Sequence, residues 1–127
     1  MNQIYKLFYT RWPALSFTLV IFILLSLPGN DVPEKESIPY QDKYVHIILC
    51  GVHVWLWCVY LNARLKDKVK RNRLFFLVFL ITCIYGVLME YYQKYFVPNR
   101  DFEYKDMLAD FIGAAIGWMV AKWHIKG

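Results

Sequence analysis

Three pairs of polar residues stand at helical spacing in an otherwise apolar chain. Asp42 and His46 are four apart, Glu90 and Gln93 three apart, and Asp106 and Asp110 four apart. Such spacing stacks each pair on one helix face, one turn above the other. Imidazole with carboxylates can ligate a divalent cation or move protons as acid and base. Lys43 and Arg100 add cations suited to a phosphate or carboxylate. The candidate catalytic groups are therefore His46, Glu90 and Asp110. Asp42, Lys43, Gln93, Arg100 and Asp106 are the candidate ligand-binding groups. A metal set would draw on Asp42, His46, Glu90 and Asp110, so a divalent metal is the candidate cofactor. No H-E-x-x-H or G-x-S-x-G elbow accompanies them.

Each residue also has an ordinary role open to it. Asp42 and Asp106 could be helix caps or first-turn acids, His46 a satisfied interior histidine, and Arg100 a loop charge behind the Pro98-Asn99 turn. Their shared depth in the chain's apolar pattern favours one common site, because acids within a span normally turn to the bundle interior.

The elements that must position these groups are apolar runs. Hydrophobic residues make up 58% of the 127 residues, and they concentrate in four candidate spans. These run from about Pro13 to Leu27, Tyr44 to Leu61, Leu74 to Phe96 and Met107 to Trp123. A spanning helix needs ~20 residues, with ~17 tolerated, so the first and last are short and imply some bilayer thinning or anchoring. Lys6 and Arg11 before the first run also suit a signal peptide. No small-x-small cleavage site follows, and a retained helix is expected. The fold class expected is all-α: a four-helix transmembrane bundle, one domain over 1–127 with its core motifs in 42–117.

Lysine and arginine set the expected orientation. Arg64, Lys66, Lys68, Lys70, Arg71 and Arg73 stand against one acid, Asp67, after the second span. Lys6, Arg11, Lys122 and Lys126 join them on the same side, which places both termini in the cytoplasm. Acids gather opposite, among them Asp31, Glu34, Glu36, Asp101 and Glu103. The polar pairs then lie toward the outer leaflet. Ordinary positive-inside bias accounts for the basic loop, and no nucleic-acid partner is expected. The partner expected from these features is the bilayer itself.

Cys50, Cys58 and Cys83 lie inside the spans without a C-x-x-C pair and read as small apolar helix residues. His53, two turns beyond His46, reads as a buried hydrogen-bonding group. Gly113 and Gly117 form G-x-x-x-G, which lets helix backbones approach closely. Packing within the bundle is the expected use, and a homo-oligomer seam the other.

These motifs resemble the VanZ-like family. The resemblance lies in D-K-x-x-H (Asp42, Lys43, His46), Y-G-x-x-x-E-x-x-Q (Tyr85, Gly86, Glu90, Gln93), Arg100 six residues before Asp106, and the final G-x-x-x-G. It runs from about Asp42 to Gly117 in the family's order and spacing. Where that family usually has Asn, one turn after its last motif Asp, this chain has Asp110. The resemblance implies a small multi-pass bacterial membrane protein of the cell envelope, in a family whose namesake is associated with low-level teicoplanin resistance. It implies no reaction. Three readings follow: a factor whose outward pocket binds an envelope lipid or peptidoglycan-related head group, a membrane-embedded enzyme acting on an envelope lipid, and a buried network that only stabilises the bundle. In the first, Tyr44, Tyr92 and Tyr104 would line the mouth.

Overall fold

The computed structural model describes residues 6–7, 10–26, 41–97 and 104–124, without the side chains of Gln41, Asp42 and His124. Over these residues the architecture is all-helical, with four main helices. They are α1 (Trp12–Leu25), α2 (Gln41–Arg64), α3 (Lys68–Phe96) and α4 (Tyr104–His124). Each expected span falls on one of them. The last three extend beyond the apolar runs, because a helix continues until its backbone is capped, whatever the hydropathy. Asp67 shows this at α3, where its side chain accepts from Val69 N at 3.0 Å and Lys70 N at 3.4 Å. That cap adds the charged turn Lys68–Arg73 to the helix. Pro13 opens α1 in its first turn, where a missing N–H costs nothing.

Cross-helix contacts fix an up-down-up-down order. His53 of α2 meets Thr18 of α1 and Thr82 of α3, while Asn62 of α2 meets Arg71 near the start of α3. Gln93 near the end of α3 reaches the last residue of α1, Leu25. Helices α2 and α4 run parallel and form the most extensive pair. Their seam is glycine-built: a Cβ on Gly113 would come 2.7 Å from Ile47 Cα, and one on Gly117 3.0 Å from Gly51 Cα. Both glycines thus serve the intrachain packing expected of them. Self-association through the same stripe would require α2 to leave it.

Around this seam lies a core of Cys50, Val54, Cys58, Phe75, Phe79, Ala114 and Ala121. Phe79 stacks on Trp118 with centroids 5.4 Å apart, a favourable aromatic geometry. A second cluster, Ile21, Leu25 and Met89, docks α1. The cysteines are free, with Cys50 and Cys58 buried.

Among the described residues, two helices are long and apolar enough to cross a membrane, by length and composition: Lys43–Arg64 with 22 residues and Lys68–Phe96 with 29. At 1.5 Å per residue they reach roughly 33 and 44 Å, past the ~30 Å hydrocarbon core. The expectation of four such spans is met by these two. Helix α1 has only 14 residues, and α4 carries Lys105, Asp106, Asp110 and Lys122 along its 21.

Candidate functional site

The antiparallel order brings the start of α2, the end of α3 and the start of α4 to one end of the bundle. Five ionisable side chains meet there: Lys43 and His46 from α2, Glu90 from α3, and Asp106 and Asp110 from α4. Four are nearly sealed, with His46 5% exposed, Glu90 1%, Asp106 7% and Asp110 3%. Lys43 lies at the rim, its side chain 13% exposed.

The contacts make a chain. Lys43 Nζ donates to Asp106 Oδ1. The other oxygen of that carboxylate, Oδ2, stands 3.7 Å from His46 Nε2. The opposite ring nitrogen, Nδ1, lies 2.7 Å from Asp110 Oδ1. Cys50, one turn below His46, donates its thiol to the same Asp110 oxygen at 3.4 Å. Glu90 closes the group from α3. One ligand atom each from His46, Glu90 and Asp106 lies within 4.8 Å of the others. Asp110 Oδ2 is buried with no hydrogen-bond partner among the described residues.

Gly86 makes room for this. A Cβ there would sit 2.7 Å from Asp110 Oδ2, so α3 must be bare one turn before Glu90 for the carboxylate to reach His46. Among the described residues, the site gathers three carboxylates with one lysine and one imidazole. Buried carboxylates need protons or counter-charges close by, a requirement that Lys43 and His46 help to meet here.

Of the residues expected to act, His46, Glu90, Asp106, Asp110 and Lys43 are brought together. Within the expected metal set, Asp106 rather than Asp110 shares a vertex with His46 and Glu90, because Asp110 occupies the far side of the ring. Gln93 is fully buried beside them, yet its Nε2 donates to Leu25 O at 2.9 Å. It satisfies a carbonyl that the end of α1 leaves open. The expected roles of Asp42 and Arg100 fall outside the described residues. Cys50, expected as a small apolar helix residue, also joins the cluster through Asp110, and its place four residues after His46 is the signal for it.

The tyrosines divide. Tyr44 and Tyr104 are exposed, whereas Tyr92 shares a 3.2 Å hydrogen bond with Ser26 and packs on Phe22, tying α1 to α3. His53 sits two turns below the cluster in its own network, 3.0 Å from Thr82 Oγ1 and 2.9 Å from Thr18 Oγ1. Trp57 Nε1 donates to Thr18 Oγ1 at 3.2 Å. That is the buried hydrogen-bonding role expected of it.

Residues 14–125 match the model of the family described as VanZ/LLP1. No curated protein and no solved structure matches the chain.

Proposed function

We propose that this chain, which belongs to the VanZ/LLP1 family, is a multi-pass protein of the bacterial plasma membrane whose polar cluster faces outward. In this reading the cluster engages the head group of an envelope lipid or a peptidoglycan-related ligand. Through that contact the protein contributes to glycopeptide resistance of the teicoplanin type. The chain acts as a single domain, with both termini in the cytoplasm.

Two features support the membrane part. The bundle is apolar outside and charged inside: Leu19, Ile48, Ile81, Leu88 and Met119 are each more than half exposed, while Glu90, Asp106 and Asp110 are buried. That polarity suits lipid, where intramembrane acids turn inward. The basic turn around Arg64 and Lys68 caps the end opposite the cluster, and positive-inside bias assigns that end to the cytoplasm.

One observation carries the functional part. Three helices deliver Lys43, His46, Glu90, Asp106 and Asp110 to a single buried group, which packing alone does not require. Expression in a glycopeptide-sensitive host tests it. Wild type is expected to raise the teicoplanin concentration needed to stop growth, and Glu90→Gln to return it to the vector level. Equal protection by both would remove the cluster from the function.

A second reading is a membrane-embedded enzyme acting on an envelope lipid at the outer leaflet. The observation favouring it is the approach of His46, Glu90 and Asp106 at 4.8 Å or less. Purified protein in vesicles of extracted envelope lipid would then form a product that His46→Gln does not.

A further inference from the structure

We propose that the groove between α2 and α4 holds one acyl chain of a membrane glycerophospholipid whose head group lies beside the polar cluster. The proposal rests on reading the chain as a membrane protein with that cluster facing outward, and it names the lipid class of the envelope ligand. Its test measures lipid binding alone, so it can fail while the susceptibility result stands, and the reverse.

The groove has a volume of about 410 Å³, within the ~300–1,000 Å³ of small-ligand sites. Ile47, Ile48, Val52 and Trp55 line it from α2, and Ile116 and Val120 from α4. Gly51 and Gly117 line it too, and their backbones meet there, so the floor between the walls carries no side chain. None of the lining residues is charged, and an apolar hollow stays dry. Its walls open on the outside of the bundle, with Ile48 62% and Ile116 43% exposed. In a bilayer that surface meets hydrocarbon chains, so a chain is the occupant the groove can take.

Length narrows the occupant further. The groove begins at Ile47, one turn after Lys43, where the 22-residue apolar span of α2 starts. It ends at Trp55, near the middle of that span. From Tyr44, exposed one turn above Ile48, down to Trp55 is roughly 16 Å of helix. One leaflet of a ~30 Å hydrocarbon core is about 15 Å deep. The groove thus has the depth of a single leaflet. A second copy of this chain would bring a helix that continues across both leaflets, and the groove offers it only half that length.

Trp55 marks the inner end. Indole rings usually collect at the membrane–water interfaces, yet Trp55 lies mid-span and packs against the core around Cys50, Val54 and Cys58. Held there, its ring closes the groove. The outer end runs into the cluster: Ile47 follows His46 directly, and Lys43 stands one turn above Ile47 at the rim. A lipid seated by its chain therefore carries its phosphate to the height of Lys43 and Tyr44.

The experiment uses full-length wild-type protein, stripped of co-purifying lipid and reconstituted in phosphatidylglycerol vesicles. A small share of that lipid carries a diazirine midway along one acyl chain. After illumination, adducts are mapped by mass spectrometry, and native spectra count the lipid retained in detergent. The expected result is one retained phosphatidylglycerol per chain, with adducts concentrated on residues 47–55 and 116–120. Ile81 and Ile84 of α3, equally exposed but outside the groove, give the background. Val52→Trp and Ile48→Trp enlarge exposed lining side chains. Both are expected to lose the retained lipid and to bring adducts at 116–120 down to background, while Ile81→Trp changes neither. Adducts spread evenly over the exposed faces of wild type overturn the proposal, a result that needs no variant to fold. Undiminished adducts at 116–120 in a monodisperse groove variant overturn it as well. Cross-linked dimers in place of lipid adducts there also overturn it and assign the face to a second copy.

Discussion

His46 Nδ1 lies 2.7 Å from Asp110 Oδ1, so a carboxylate on α4 holds the orientation of an imidazole on α2. Asn at position 110 keeps an acceptor for that proton and removes a buried charge. Alanine leaves a buried N–H unpaired, at a cost of about 1–3 kcal/mol. Thermal unfolding in detergent should therefore place Asp110→Ala clearly below wild type and Asp110→Asn near it. Equal midpoints for the two variants would mean that this hydrogen bond contributes nothing.

Gly86 and Asp110 should behave as one unit. A methyl at 86 would sit 2.7 Å from Asp110 Oδ2 and 3.1 Å from Cγ, so the carboxylate has to move off His46. Gly86→Ala is expected to cost ~1–3 kcal/mol as an overpacked site. Asp110→Ala removes the carboxylate and leaves only its Cβ at 3.0 Å, so the double variant should be more stable than the sum of the singles by ~0.5–3 kcal/mol. Strict additivity would separate Gly86 from the cluster.

The α2–α4 seam makes an asymmetric prediction among three glycines. At Gly113 and Gly117 a Cβ meets the backbone of Ile47 and Gly51, which cannot swing aside. At Gly51 the nearest atom is Gly113 O at 3.2 Å, a tight contact but nearly an ångström longer than the closest approaches at 113 and 117, so the backbone need give by only a few tenths of an ångström. Alanine at 113 or 117 should sharply reduce the yield of monodisperse protein, while Gly51→Ala stays close to wild type. Comparable yields for all three would mean that the helices are not this close.

Much of this arrangement is legible in the sequence because two periodicities coincide. Long apolar runs give the four helices, and i, i+4 spacing places Asp106 and Asp110 on successive turns of α4. What the sequence leaves open is direction about the helix axis. Asp106 and Asp110 share a face, yet they reach opposite nitrogens of one ring, which depends on the 113/47 and 117/51 contacts setting the register of α4 on α2. Gln93 shows the same limit. Its spacing to Glu90 suggests a shared site, but α1 ends within its reach, and an open carbonyl takes the amide. Helix length exceeds the apolar run for a simpler reason: Asp67 caps α3 seven residues before Leu74, where that run begins, and charged turns do not register as span.

The two buried histidines give the most direct test of whether the cluster acts or merely stabilises. His46 and His53 are almost equally buried, at 5% and 6% exposed, but only His46 belongs to the acid-rich group. Protein abundance and teicoplanin susceptibility are measured together for His46→Gln and His53→Gln. The expected result is that His46→Gln loses protection at wild-type abundance, while His53→Gln loses protection only in proportion to abundance. If His46→Gln protects normally, or its loss simply follows a drop in abundance, the cluster is a structural network and the functional reading fails.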